Sequence, residues 1–136
     1  MNDYKTRITQ IKNLLSTQDY VLLAYLYGSI ARGETHKFSD IDIAVFLKEP
    51  VMANYKRLLA KVAPFDTRET IIDIRLLNNA PPLFRYNVIK DGILLINRDE
   101  KLREAFVYKT LIEALDIKES IERYQKERLE AFLNAI

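Results

Sequence analysis

Residues 28–45 read GSIARGETHKFSDIDIAV. A glycine–serine pair, Gly28-Ser29, stands ahead of an Asp-x-Asp pair, Asp40 and Asp42, with ten residues between them. Apolar runs flank both halves, VLLAYLY at 21–27 and IAVFL at 43–47. From Asp40 to Leu47 the chain alternates. Asp40, Asp42 and Ala44 fall on one side of an extended backbone, and Ile41, Ile43, Val45 and Leu47 fall on the other, the pattern of a strand with one face in a core. Val21 to Tyr27 is a short, unbroken apolar run that ends at Gly28 and predicts a buried strand. Between the two, SIARG can make one helical turn and ETHKFS reads as a polar loop.

Two carboxylates on one face of a core strand need an explanation. Side chains two apart in a strand have α carbons roughly 6.6 Å apart. Their oxygens can then approach within about 5 Å and repel by roughly 3 kcal/mol at an effective dielectric near 20, a large part of a domain's stability margin. Either water screens the pair on an open face or a divalent cation sits between them. Taken alone, Gly28 is an ordinary strand-ending turn and Ser29 an ordinary helix cap. Together they place free backbone N–H groups and a hydroxyl where phosphate oxygens can bind. A nucleoside triphosphate needs both halves: donors for its outer phosphates, and carboxylate-held metal near the reacting phosphorus. Neither a G-x-x-x-x-G-K-[ST] loop nor a G-x-G-x-x-G turn occurs, so other common phosphate-binding motifs are absent.

Working outward, residues 4–16 carry Ile8, Ile11, Leu14 and Leu15 at helical spacing, and residues 52–62 predict a second helix with Leu58, Leu59 and Val62 on its inner side. Thr70 to Leu77 predicts a third strand, with Ile72, Ile74 and Leu76 on one face and Ile71, Asp73 and Arg75 on the other. Pro81-Pro82 suits the first turn of a helix to about Lys90, and Asp91-Gly92 turns into a fourth strand, residues 93–97. From Asp99 on there is no glycine or proline. The apolar phase set by Leu102, Phe106 and Leu115 slips at Ile117, where Asp116 and Glu119 have the spacing of a capping box. That slip predicts two helices rather than one bent helix, covering the domain's own core or a partner.

Asp73 supplies a third acid. It can pair with Arg75 on the same face, or, if its strand lies beside residues 40–47, it can join Asp40 and Asp42. Three acids suit two divalent ions, which clamp the attacking and leaving oxygens of an in-line displacement. Arg32, one turn after Ser29, can reach a phosphate or simply face solvent, and His36 and Lys37 read as exposed loop residues.

Composition narrows the chemistry. The chain has 136 residues, 49% of them apolar, and is expected to form a single domain, 1–136. A net charge of +2 gives no ground for direct nucleic-acid binding. With no cysteine and one histidine, any bound metal is a hard cation on carboxylates, Mg2+ or Mn2+. The N-terminus lacks the apolar core of a signal peptide and no run is long enough to span a bilayer. A cytoplasmic protein that does not engage membranes is expected.

The G-S-x10-D-x-D pattern of residues 28–42, followed by IIDIRLLNNAPP and DGILLI, resembles the nucleotidyltransferase superfamily that includes DNA polymerase beta, and most of all its minimal nucleotidyltransferase (MNT) branch. The resemblance covers a core of about 20–97; the C-terminal segment, 99–136, matches only in length and helical character. It implies an α+β fold, a mixed sheet of about four strands with helices on one face. It implies ATP as substrate, Gly28 and Ser29 on its outer phosphates, and Asp40 and Asp42 holding two Mg2+ ions. Asp73 would bind the ion that activates the attacking hydroxyl. Small members of this branch pair with a helical HEPN protein, an RNase toxin, and neutralise it as antitoxins by attaching AMP to a tyrosine. The resemblance therefore implies a protein adenylyltransferase with a HEPN partner. The alternatives are transfer to a small hydroxyl compound of the aminoglycoside type, or inhibition of the partner by contact alone.

Overall fold

The computed structural model describes residues 3–34 and 40–136; His36 and Lys37 lie outside the described residues. The order of elements is α1 (Asp3–Ser16), β1 (Val21–Tyr27), α2 (Gly28–Ala31), β2 (Ile41–Leu47), α3 (Met52–Val62), a 3-10 turn (Ala63–Phe65), β3 (Ile72–Leu76), α4 (Pro82–Asp91), β4 (Ile93–Asn97) and α5 (Glu100–Ala135). The four strands form one mixed sheet in the order β3-β2-β1-β4. β1 runs antiparallel to both β2 and β4, while β2 and β3 are parallel. The parallel pair is joined through α3, as such a crossover requires.

The alternating apolar residues of β2 divide two cores. Ile41, Ile43, Val45 and Leu47 pack with Ile11 and Leu15 of α1 and with Leu58 and Val62 of α3. These are the helices expected on one face. The opposite face is also covered, but only in part: Leu23, Tyr25 and Ala44 lie under Val88 of α4 and Phe106 of α5. The carboxylates of Asp42 and Asp73 share this second face, at the end of the sheet beyond that cover.

Polar side chains tie the elements together where backbone groups would otherwise be left over. Asn78 extends β2 by donating to Leu47 O and accepting from Leu47 N, both at 2.9 Å. Arg98 donates to Val21 O and to carbonyls at the end of α1. Arg85, only 7% exposed, donates to Ala80 O and to the Thr110 hydroxyl and pairs with Glu113, so it bolts α4 to α5. Arg85→Ala leaves the fully buried Thr110 hydroxyl short of a donor, and leaves Glu113 with the longer pairing to Lys109 at 3.8 Å. Glu113 is partly solvated, which holds the expected loss to about 2 kcal/mol, a fall of roughly 8 °C in Tm readable in a thermal melt.

The C-terminal segment is one helix, not two. Asp99 is the N-cap that forms, its carboxylate accepting from Leu102 N at 3.0 Å. Asp116 lies inside the helix and caps nothing. A capping box needs a non-helical Asp, and no glycine or proline around 116–119 stops propagation, which adds a hydrogen bond for each residue fixed. The phase slip therefore changes which face is apolar without breaking the backbone. Nor does the far half cover the domain's core, since every residue from Lys118 onward is exposed. Among the described residues no helix is long and apolar enough to cross a membrane.

Candidate active site

Strand register brings two of the predicted acids, Asp42 and Asp73, side by side. Tyr27 of β1 lies opposite Asp42 of β2, and Asp42 lies opposite Asp73 of β3, so three side chains form one row across the sheet, all on the same face. The next row is Tyr25, Ala44 and Arg75. Ala44 keeps its centre low.

Gly28 closes the row at the end of β1. Its φ is +77°, a region that costs other residues about 1–2 kcal/mol. A Cβ at Gly28 would lie 2.4 Å from Oδ2 of Asp42 and 3.3 Å from its Cγ. A side chain at this position is therefore disfavoured twice, by the backbone conformation and by the Asp42 carboxylate, which would have to move aside. Ser29 begins the turn of α2, half-exposed, its carbonyl accepting from Glu34 N at 2.8 Å. Arg32 is paired with Glu34 at 3.2 Å on the surface; its charge still reaches Asp42 and moderates the negative potential there.

Asp42 is the electrostatic centre. Burial pushes its pKa above the usual carboxylate range, and the charges of Asp73 and then Asp40 push it further in the same direction. Tyr27 is pushed up to about 12, by burial first and by Asp42 second, and so remains a neutral hydroxyl. The two outer acids turn to nearby donors. Asp73 accepts from Arg75 Nε at 3.3 Å, and Asp40 accepts from Ile71 N at 3.4 Å. In this arrangement no group of three acidic, histidine or cysteine side chains among the described residues is gathered closely enough to hold a metal ion. Asp42 and Asp73 are brought together, and Asp40 stands at the mouth of β2 facing the start of β3.

The donor set still fits a hard divalent cation. Asp42 and Asp73 present carboxylates beside the neutral Tyr27 hydroxyl, the charges of Asp73 and Asp40 act on Asp42 in the sense a cation would relieve, and the contacts that hold Asp40 and Asp73 are long and on the surface. A side-chain rotation of either acid exchanges a weak hydrogen bond for a cation.

Two aromatic contributors lie outside the motif. Phe84 of α4 meets the Tyr27 ring edge-on, with centroids 5.5 Å apart, and the Arg75 guanidinium sits 6.0 Å from the Phe84 centroid. They wall the site on the side of α4. Tyr27 could have been found from the sequence, since it shares the parity of Leu23 and Tyr25 at the strand end beside Gly28. Phe84 could not, because nothing in the local pattern of α4 says which strand end it will reach.

A model of the family described as polymerase beta, nucleotidyltransferase, matches residues 9–101, more than half of the chain. The chain belongs to this family. Among curated proteins, the nucleotidyltransferase is 31% identical over 129 residues to a protein adenylyltransferase MntA of Aphanizomenon flos-aquae (strain 2012/KM1/D3), covering 88% of this chain and 85% of that one. Among solved structures it is similar to a chain of a toxin–antitoxin complex with AMP-PNP. The TM-score is 0.69 at 22% identity, over 93% of this chain and 98% of that one. A second neighbour belongs to a complex of a tri-AMPylated Shewanella oneidensis HEPN toxin with its MNT antitoxin, with a TM-score of 0.65 at 20% identity over 89% and 98% of the two chains. The structural likenesses establish the shared α+β nucleotidyltransferase fold. Residues 28–42 of the G-S-x10-D-x-D pattern fall wholly within the matched span.

Proposed function

We propose that this nucleotidyltransferase is an antitoxin that transfers AMP from ATP to a tyrosine hydroxyl of a HEPN-family toxin and thereby neutralises it. The observation that carries the reading is the register of Asp42 against Asp73 on neighbouring parallel strands, with Gly28 packed on Asp42. The likeness to a protein adenylyltransferase over most of both chains selects AMP and a protein acceptor from the reactions such a site can serve.

The roles follow from position. Gly28 lets the triphosphate approach the backbone, Ser29 offers a hydroxyl to its outer phosphates, and Arg32 exchanges its surface contact with Glu34 for a phosphate oxygen. Asp40, Asp42 and Asp73 hold magnesium, two ions in our reading. Bound magnesium supplies Lewis acidity to the α-phosphate and charge neutralisation to the leaving pyrophosphate. The acceptor oxygen forms a bond to the α-phosphorus as the bond to the bridging oxygen of pyrophosphate breaks. The proton of the acceptor hydroxyl passes to Asp73, at the open end of the row and on the strand edge where a second protein can approach.

The purified chain, incubated with its HEPN partner, ATP and magnesium, is expected to add the mass of AMP to a partner tyrosine and to abolish the partner's RNase activity. An unmodified partner in the presence of folded, ATP-binding chain would overturn the reading. Transfer to an aminoglycoside by the chain alone would replace it with the small-molecule alternative.

A further inference from the structure

The face that docks α5 onto the sheet does not stop where the domain does. Phe106, Thr110 and Ala114 are buried in the first half of the helix. At about 100° per residue the same face continues through Ile117, Ile121, Tyr124, Arg128 and Phe132. Ile117 is half-buried, but every residue beyond it is exposed, with Tyr124 at 61% and Phe132 at 63%. Residues 118–136 extend about 28 Å at 1.5 Å per residue, and a helix of that length in water is marginal without an apolar face packed on something. A groove of about 650 Å³ between α4 and α5, floored by Leu83, Tyr86, Leu111 and Leu115, opens at Ile121, so the apolar face starts on the domain and runs outward along the helix.

Charge spacing identifies the occupant. Lys118 has Glu122 four residues on, Arg123 has Glu119 and Glu127, and Lys126 has Glu122 and Glu130, all spaced for helical ion pairs. Arg128 differs. Its neighbours at three and four residues are Tyr124, Gln125, Ala131 and Phe132, so this guanidinium stands within the apolar face with no acid at helical spacing. A two-fold pairing of this face with a second copy would bury two arginines, and the face has no carboxylate to meet them. Uncompensated buried charge makes that pairing costly. A different protein can supply the missing acid.

We propose that residues 117–136 are the docking helix for a helical partner protein, whose apolar face takes Ile117, Ile121, Tyr124 and Phe132 and whose carboxylate meets Arg128. The inference rests on the protein-acceptor reading above, with the HEPN toxin as the partner, and adds where that toxin is held. Docking on an arm outside the catalytic row leaves the acids free to act on a tyrosine presented by a protein already bound.

The test titrates purified HEPN partner onto the wild-type chain and onto Ile121→Glu, Phe132→Glu and Arg128→Ala by calorimetry, with magnesium–ATP binding and thermal melts on each variant. Each glutamate variant is expected to weaken partner binding roughly thirtyfold and Arg128→Ala about fivefold. Magnesium–ATP binding should stay unchanged in all three, as should the Tm of Phe132→Glu and Arg128→Ala, whose side chains are exposed on the outer part of the helix; the Tm of Ile121→Glu, on the lip of the α4–α5 groove, should fall slightly. AMP transfer should fall at limiting partner and recover at saturating partner, a change in KM and not in kcat. Variants that bind the partner as wild type does, while the wild type modifies it, would overturn the docking assignment and leave the activity standing. A chain that is dimeric alone and is made monomeric by Phe132→Glu would also overturn it, in favour of a second copy. A wild-type chain that neither binds nor modifies the partner would sink the function and the docking site together.

Discussion

Asp42→Asn is expected to abolish nucleotidyl transfer while raising the melting temperature of the protein. Asparagine keeps the shape of the side chain against Gly28 but removes the charge at the centre of the row. Loss of a preorganised electrostatic group at the reacting centre costs on the order of 10³-fold in rate, or about 4 kcal/mol of transition-state stabilisation. The gain in stability has the same origin. Burial, Asp73 and Asp40 all push the Asp42 pKa upward, so the folded protein holds this proton to higher pH than the unfolded chain does. The sign is then fixed: stability falls as pH rises through the carboxylate range, and at neutral pH ionised Asp42 is a liability. Water at this half-exposed position screens much of the repulsion, leaving about 1 kcal/mol to recover, or roughly 4 °C. Melting in EDTA and transfer assays with magnesium measure the two effects separately. A variant that neutralises the toxin as well as wild type does would reduce the protein to an inhibitor by contact. A variant less stable than wild type would mean that the acids do not repel as their register implies.

Gly28→Ala is expected to lose both stability and activity. The positive φ costs about 1–2 kcal/mol, and the new methyl group must displace Oδ2 of Asp42 from 2.4 Å. A fall of roughly 6 °C in Tm follows from the backbone term alone, and a displaced carboxylate at the centre of the row should lower transfer about 100-fold. The two causes can be separated by a cycle. In the Asp42→Ala background the carboxylate is gone, so Gly28→Ala should cost only its backbone term, and the double variant should be more stable than the sum of the two singles by about 1 kcal/mol. Strict additivity would show that Gly28 and Asp42 do not press on each other.

Much of the site was legible before any coordinates. The strand formed by Asp40–Leu47 could be read because apolar residues every second position bury one face whatever lies beyond them, and the structure starts that strand one residue later, at Ile41. Val21–Tyr27, Met52–Val62 and Ile93–Asn97 have bounds set by short-range signals, a turn or a proline at each end. Asp73 was recognisable as mid-strand and on the polar face, but two roles stayed open for it, a pair with Arg75 or a place beside Asp42. It has both: the ion pair with Arg75 forms, and the register with Asp42 forms as well. The two-helix reading of the C-terminus failed because a phase slip was read as a break. Phase reports which face is apolar, whereas a break needs a residue that cannot continue the helix.

Sequence alone settled where the chain is extended, which side of each strand carries acid, and that Gly28-Ser29 precedes Asp40 and Asp42 with ten residues between them. These are local properties, carried by the alternation of Cβ directions and by turn residues acting over a few positions. Tertiary structure decided the rest: that β3 lies parallel to β2 so that Asp73 stands level with Asp42, that Phe84 arrives beside Tyr27, that Gly28 must make room for a carboxylate from another strand, and that α5 outruns its own domain. Each depends on which apolar faces find one another across long stretches of chain. The choice is made by burial summed over the whole core, and no window of a few residues contains it.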